Sequence, residues 1–507
     1  YHLLPTAIEL KEIIDAFNAV EADEKDIDPD IWKSDDVLGW LYESYNNYKK
    51  VAHKDSKAKT EYDKVSIQSQ VYTPKWVVKF LVDNSLGKQY LEMYPHSDIK
   101  NKYAIANAPT ERVREPKPLH EIKLIDPAMG SGNFLLYAFD VFYDLYQDQI
   151  DNYGADYEER DIPKLILEHN LHGVDLDNRA AQIAQLGLYI KARRKKRNIK
   201  IEHFNLVSSD FVLPAYEQVK HIFFPSDEKK TSAEQAVERV IISIWDDLQQ
   251  AHKFGALIRI EEIVEQHLST FERSEVTLFT SAENETYLSF RQSFINDLYK
   301  AVTNYASTGA HNFMQVQASN AVTYLDVLTN KYDVAVANPP YTDSADFGPE
   351  LKAFVEKHYK KPYKFHTNLY ATFIKRCCEL TTEDGKVAMI HPLTFMYIKT
   401  FEDVRKYIIE KTHISVFVDY GLSNLFGAVM VDPAFYVLEK ENKTKDPSLF
   451  ISLNQYTRTP NEKYKKDFCL EALNDVINQN ENKHNIFLHQ EKLKIIDSWP
   501  FIYWISD

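Results

Sequence analysis

Two kinds of apolar pattern alternate along this chain. Short continuous apolar runs bounded by turn residues, Tyr332 to Ala337, Gly385 to Ile390, Ile414 to Tyr420 and Phe435 to Leu438, predict strands buried on both faces. Longer stretches with helical spacing follow other short strands: Leu135 to Tyr146 comes after Leu124-Ile125-Asp126, and Arg179 to Ile190 after His172 to Asp177. Such alternation predicts an α/β domain in two halves, residues 66–211 and 322–440. Residues 1–65 read as a helical, strongly charged lead-in. Residues 212–321 carry the helical patterns Ala233 to Phe254 and Ala256 to Leu268 and predict a helical insertion without a catalytic motif. The Asn- and Lys-rich stretch 441–507 reads as an extension leading toward whatever follows. The chain begins with Tyr, which suggests a fragment of a longer protein.

The first candidate chemistry lies at the end of the run Tyr332 to Ala337, in Asn338-Pro339-Pro340-Tyr341. An amide, two rigid prolines and an aromatic at a strand's end form a compact clamp for a planar group bearing an NH2. The Asn338 oxygen and the Pro339 carbonyl can both accept from that NH2, and the Tyr341 ring can stack on the plane. Taken alone, the run also fits a stiff turn leaving a buried strand.

A second constellation is Asp126-Pro127-Ala128-Met129-Gly130-Ser131-Gly132, between a strand and a helix. Its glycines let the backbone turn sharply and approach a ligand that a Cβ would exclude. The run lacks the third glycine of the dinucleotide fingerprint and the Gly-Lys-Ser/Thr of a phosphate loop, so a nucleoside without phosphates fits better. Asp175, closing the strand in His172-Gly173-Val174-Asp175-Leu176-Asp177, can accept from both ribose hydroxyls. It follows Gly130 at well over the usual spacing of about 20 residues, which requires a longer first helix or an added segment near Asp151 to Asp161. Asp177 fits an N-cap of the next helix.

Together these residues resemble the S-adenosylmethionine-dependent amino-methyltransferases, in particular the DNA adenine-N6 type in which the cofactor motif precedes Asn-Pro-Pro-Tyr. The resemblance covers roughly Val71 to Lys440 and implies a Rossmann-like methyltransferase sheet. It implies that Asn338, Pro339, Pro340 and Tyr341 are catalytic, and that S-adenosyl-L-methionine is held by Thr73 of a Thr-Pro motif, by Asp126, Ala128, Gly130 and Gly132, by Asp175 at the ribose, and by Asp210 and Phe211 at the adenine. Phe426 would face the target base. The chain is similar more narrowly to the methyltransferases of BREX phage-exclusion systems and to fused restriction-modification enzymes, on Asp36-Val37-Leu38-Gly39-Trp40-Leu41-Tyr42-Glu43, Thr73 to Gly87 and Trp499 to Trp504. Implied partners are double-stranded DNA and other phage-defence subunits, and the extension would lead toward a target-recognition region. The alternatives are a cofactor- and DNA-binding platform without turnover of its own, and a protein-glutamine methyltransferase, whose carboxamide substrate also presents an NH2. Enzymes acting on cytosine N4 generally carry serine where this chain has Asn338.

Composition changes the picture little. The chain has 507 residues, 44% of them hydrophobic, and no apolar run near 18 residues, in keeping with a large cytoplasmic enzyme that does not enter a membrane. Its three cysteines, Cys377, Cys378 and Cys469, lack zinc-ligand spacing, so no metal is expected. His366, His391 and His413 read as structural. A net charge of −15 opposes DNA binding in sum, and distribution matters more. Arg193 and Arg194 lie in a basic run from Lys191 to Lys200, which also fits a solvated helix end. Lys357, Lys360, Lys361 and Lys364 follow the clamp, where the backbone of a flipped base would pass, and are expected to contact phosphate.

Overall fold

The computed structural model describes residues 6–22, 34–56, 58–68, 71–211, 251–262, 312–426, 429–440 and 446–504, with scattered residues from 215 to 250. Its centre is a nine-stranded sheet. In chain order the strands are β1 Leu124–Asp126, β2 Leu171–Asp175, β3 Asn205–Ser208, β4 Tyr332–Ala337, β5 Thr381–Pro392, β6 His413–Asp419, β9 Pro433–Glu439, β10 Ser448–Ser452 and β11 Asn485–Leu488; β7 Ser423–Phe426 and β8 Val429–Val431 form a separate hairpin. The spatial order is β11-β10-β6-β9-β5-β4-β1-β2-β3. Strands β3, β2, β1, β4 and β5 run parallel, whereas β9 is antiparallel to both its neighbours.

The continuous apolar runs have a direct cause, because both faces of the sheet are covered. Val334 and Val336 of β4 enter one hydrophobic cluster and Ala335 and Ala337 the other; Phe435 and Val437 of β9 divide from Tyr436 and Leu438 in the same way. Successive side chains of a strand point to opposite faces, so a strand between two helical layers must be apolar throughout. The helix Asn133–Tyr153 buries Phe134, Leu135, Ala138, Phe139, Phe142, Leu145 and Tyr146 along one stripe and ends at Gly154, with φ +66°. The long interval to Asp175 is filled by this 21-residue helix and by short helical turns between Glu159 and Asn170.

Two parts of the chain differ from their reading in sequence. The stretch after 441 adds β10 and β11 to the sheet edge and buries Phe501 and Tyr503 in its core, so it is built into the fold. β10 offers an apolar run of only three residues, Leu449 to Ile451, too short to stand out in the sequence. Within the insertion, residues 263–311 lie outside the described residues, and with them the second part, 263–268, of the pattern from Ala256 to Leu268. The helix that sequence ends at Phe254 does end there, and Gly255, at φ +51°, breaks it. Among the described residues no helix is long and apolar enough to cross a membrane. His391 is buried, stacked on Tyr370 and bonded to the Tyr436 hydroxyl at 2.7 Å, and burial depresses its pKa to about 3.

Candidate active site

After β1 the chain crosses to β2 on one side, while β4 pairs with β1 on the other. Such a reversal opens a crevice at the carboxyl ends of the strands. A cavity of about 1090 Å³, mouth included, lies there, lined by Asp126, Ala128, Gly130, Ser131, Asp175, Asn338 and Pro340. The loop after β1 folds back on two carboxylates. Asp126 accepts from Ala128 N (3.0 Å); Asp175 accepts from Gly130 N (2.9 Å) and Asp177 N (2.8 Å). Burial pushes Asp126 up to about 8 and Asp175 to about 6. Gly130 (φ +53°) and Gly132 (φ +86°) both need the left-handed region. A Cβ on Gly130 would meet only open space, whereas one on Gly132 would stand 2.8 Å from the Ala184 Cβ. Gly130 therefore faces the cavity, and Gly132 lets the helices Asn133–Tyr153 and Asn178–Lys195 approach.

Asn338 leaves β4 at the same rim. Its Nδ2 donates to the Val71 carbonyl (3.0 Å) and to Thr73 Oγ1 (2.9 Å), and its Oδ1 accepts from the Tyr341 hydroxyl. Because the Val71 carbonyl can only accept, the amide nitrogen must face it, which fixes which way the amide points. Thr73 lines the same cavity from a largely buried position, and its hydroxyl also holds Asn338; its own carbonyl accepts from Asn133 Nδ2 (2.6 Å). Pro339 is buried, and the Tyr341 ring stands 6.5 Å from that of Phe426.

Two expected adenine contacts sit elsewhere. Asp210 is exposed after β3, its N–H on Ser208 Oγ (3.0 Å), and Phe211 is buried edge-on to Tyr324 at 5.3 Å; neither lines the cavity. That bulky ring gains more from the core between β3 and the insertion. The wall it leaves is made by Lys253 to Leu257 of the insertion. Three side chains clamp this strap by its backbone. The Tyr324 hydroxyl donates to Gly255 O (2.7 Å), the Tyr359 hydroxyl to Leu257 O (2.7 Å), and the buried Arg376 guanidinium to Ala256 O (2.6 Å) and Ile258 O (2.9 Å). Leu369 and Phe373, one helical turn apart, close the cavity floor with Leu351. No local motif marks any of these.

The family described as Eco57I restriction-modification methylase matches residues 169–426, which contain β2, β4, Asp175 and the whole Asn338 to Tyr341 clamp. The chain belongs to the Eco57I restriction-modification methylase family. The family described as MmeI, DNA-methyltransferase domain, matches residues 105–222, around the glycine loop. The adenine-specific methyltransferase BrxX of Escherichia coli O9:H4 is 27% identical over 95% of this chain and 38% of its own length. The adenine-specific methyltransferase PglX of Lacticaseibacillus casei is 26% identical over 98% of this chain and 39% of its own. The chain thus spans under half the length of these relatives. A cryoEM structure of a DrdV–DNA complex superposes with a TM-score of 0.49 at 14% identity, over 99% of this chain and 37% of that one.

The basic residues of this Eco57I-family chain fall into two settings. Lys357, Lys360, Lys361 and Lys364 are exposed on the excursion between Tyr341 and the helix Leu369–Leu380, at the carboxyl edge that holds Asn338. Lys360 lies 3.6 Å from Glu356 and Lys364 2.8 Å from Asp403, exposed pairs worth under about 1 kcal/mol that leave both cations usable. Arg193 and Arg194 end the helix Asn178–Lys195, about 25 Å of helix beyond its start beside Asp175. Arg194 is held by Asp35 (2.7 Å), and Arg193 donates to the Arg197 carbonyl (3.1 Å). Both side chains remain exposed, so these contacts leave them as usable as the lysines.

Proposed function

We propose that this chain is the methyl-transferring part of a site-specific DNA methyltransferase. It moves a methyl group from S-adenosyl-L-methionine to N6 of an adenine flipped out of double-stranded DNA. The observation that carries the reading is Asn338: its NH2 is committed to Val71 and Thr73, which leaves its oxygen as the acceptor, and the residue lines the cavity that Gly130 and Asp175 share. The residues fit the cofactor. Gly130 would let the backbone approach the nucleoside, Asp175 would accept from the ribose hydroxyls, and Lys253 to Leu257 would wall the far end in place of Phe211. When bound, the cofactor supplies an electrophilic methyl on a sulfonium.

An adenine amino group is a poor nucleophile because its lone pair is delocalised into the ring. Accepting from both N–H bonds, by Asn338 Oδ1 and the Pro339 carbonyl, favours a more tetrahedral and more reactive nitrogen. An amide oxygen has two lone pairs, so Oδ1 accepts the amine beside the Tyr341 hydroxyl. Alignment can lower a barrier by roughly 7–11 kcal/mol, more than a general base contributes, and none is needed here. Flipping costs a few kcal/mol, offset by stacking on Tyr341 worth about 1–3 kcal/mol. Lys357, Lys360, Lys361 and Lys364 would hold the displaced backbone.

The names of the relatives at 27% and 26% identity point to adenine as the base. We place the protein in the cytoplasm, as part of a phage-defence system of BREX type and in company with other subunits of that system. The test is methylation-sensitive long-read sequencing of host DNA from cells with the intact gene and with its Asn338→Ala variant. N6-methyladenine at one recurring sequence in the first and at none in the second is expected. Identical methylomes would contradict the reading.

A further inference from the structure

The segment Asp36 to Glu43, set apart in the sequence only by its likeness to the BREX enzymes, lies on the cavity. It opens the helix Val37–Ser56, and four of its residues are spent on the site. Tyr42 lines the cavity and donates to Asp177 Oδ2 (2.7 Å), whose own N–H holds Asp175 Oδ1 at 2.8 Å. Glu43 accepts from Tyr72 N (3.1 Å), and Asp36 accepts from the Tyr72 hydroxyl (2.6 Å). Tyr72 lines the cavity too, just ahead of the Thr73 that fixes Asn338. Gly39 packs on its ring so closely that a Cβ there would stand 2.4 Å from Tyr72 Cε2 and 3.0 Å from Ser131 Oγ. At 6% exposure, Tyr42 has no surface role to explain it.

We propose that the helix Val37–Ser56 is a wall of the cofactor site and that Tyr42 is a nucleoside-binding residue. Tyr42 stands at the ribose end, beside Asp175, and Tyr72 at the end nearer the clamp, so the helix bridges the length of the bound ligand. The inference rests on the cavity taking S-adenosylmethionine.

The test is hydrogen exchange on the full-length protein, titrated with S-adenosylmethionine, beside calorimetry of Tyr42→Phe and Gly39→Val. Saturating ligand should slow exchange across residues 40–52 at least about tenfold, in the same titration that protects 128–136. Tyr42→Phe should weaken binding about fivefold, the worth of one hydrogen bond, and Gly39→Val, which cannot seat the helix on Tyr72, by more. Protection confined to 126–136 and 171–177, with unchanged affinity in Tyr42→Phe, would overturn the inference alone. Absence of any binding to the wild type would overturn it together with the reading on which it rests.

Discussion

Replacing Asn338 by alanine should lower the rate of methyl transfer on the order of 10³-fold while leaving cofactor affinity within about threefold, since this amide acts on the developing charge of the target amine. The separation follows from the geometry. Among the described residues Asn338 is hydrogen-bonded to Val71, Thr73 and Tyr341, none of which belongs to the glycine loop or to the Asp175 network. Its removal frees the Val71 carbonyl and Thr73 Oγ1, a local cost of about 1–3 kcal/mol that is visible in melting and not in ligand binding. Single-turnover kinetics on the DNA site, with calorimetry of the cofactor, makes the check. A variant with comparable turnover, or one that fails through lost cofactor, would remove the clamp from the mechanism.

Asp175→Ala should raise the dissociation constant for S-adenosylmethionine at least about 10²-fold, because each hydrogen bond to a charged acceptor carries about 1.5–3 kcal/mol. It also releases Gly130 N and Asp177 N, so the loop loses the carboxylate that shapes it. The same group gives a pH dependence with a definite sign. Burial holds Asp175 near 6 and Asp126 near 8, so close to neutral pH Asp175 is the ionised one of the pair. Ribose hydroxyls donate to a carboxylate and less well to a carboxylic acid. Affinity should therefore weaken toward tenfold per unit as pH falls below about 6. For the ligand-free fold the sign is opposite: a carboxyl with a raised pKa favours folding below its unfolded value and loses that contribution as pH rises through 6. Calorimetry from pH 5 to 8 on wild type and Asp175→Asn would expose the difference; the same pH profile in both would assign the titration to another group.

What was legible in the sequence was what is local. Asn338 to Tyr341 and Asp126 to Gly132 each lie on one turn at a strand's end, so spacing alone assembles them. β4 and β9 announce themselves by apolar runs because both faces are covered. The walls of the cavity were not legible, since chain segments far apart supply them: Tyr42 reaches Asp177 across 135 residues, and Arg376 holds Ala256 across 120. Residue type misled where two environments suit it equally. Phe211 is as well placed in the core against Tyr324 as on a ligand.

The central claim is tested most directly by incubating the full-length protein with duplex DNA and methyl-labelled S-adenosylmethionine, then digesting the DNA to nucleosides for mass spectrometry. The account predicts label in N6-methyldeoxyadenosine, with none when Asn338 is alanine; label in methylated cytosine, or in protein alone when cell extract is the acceptor, would contradict it.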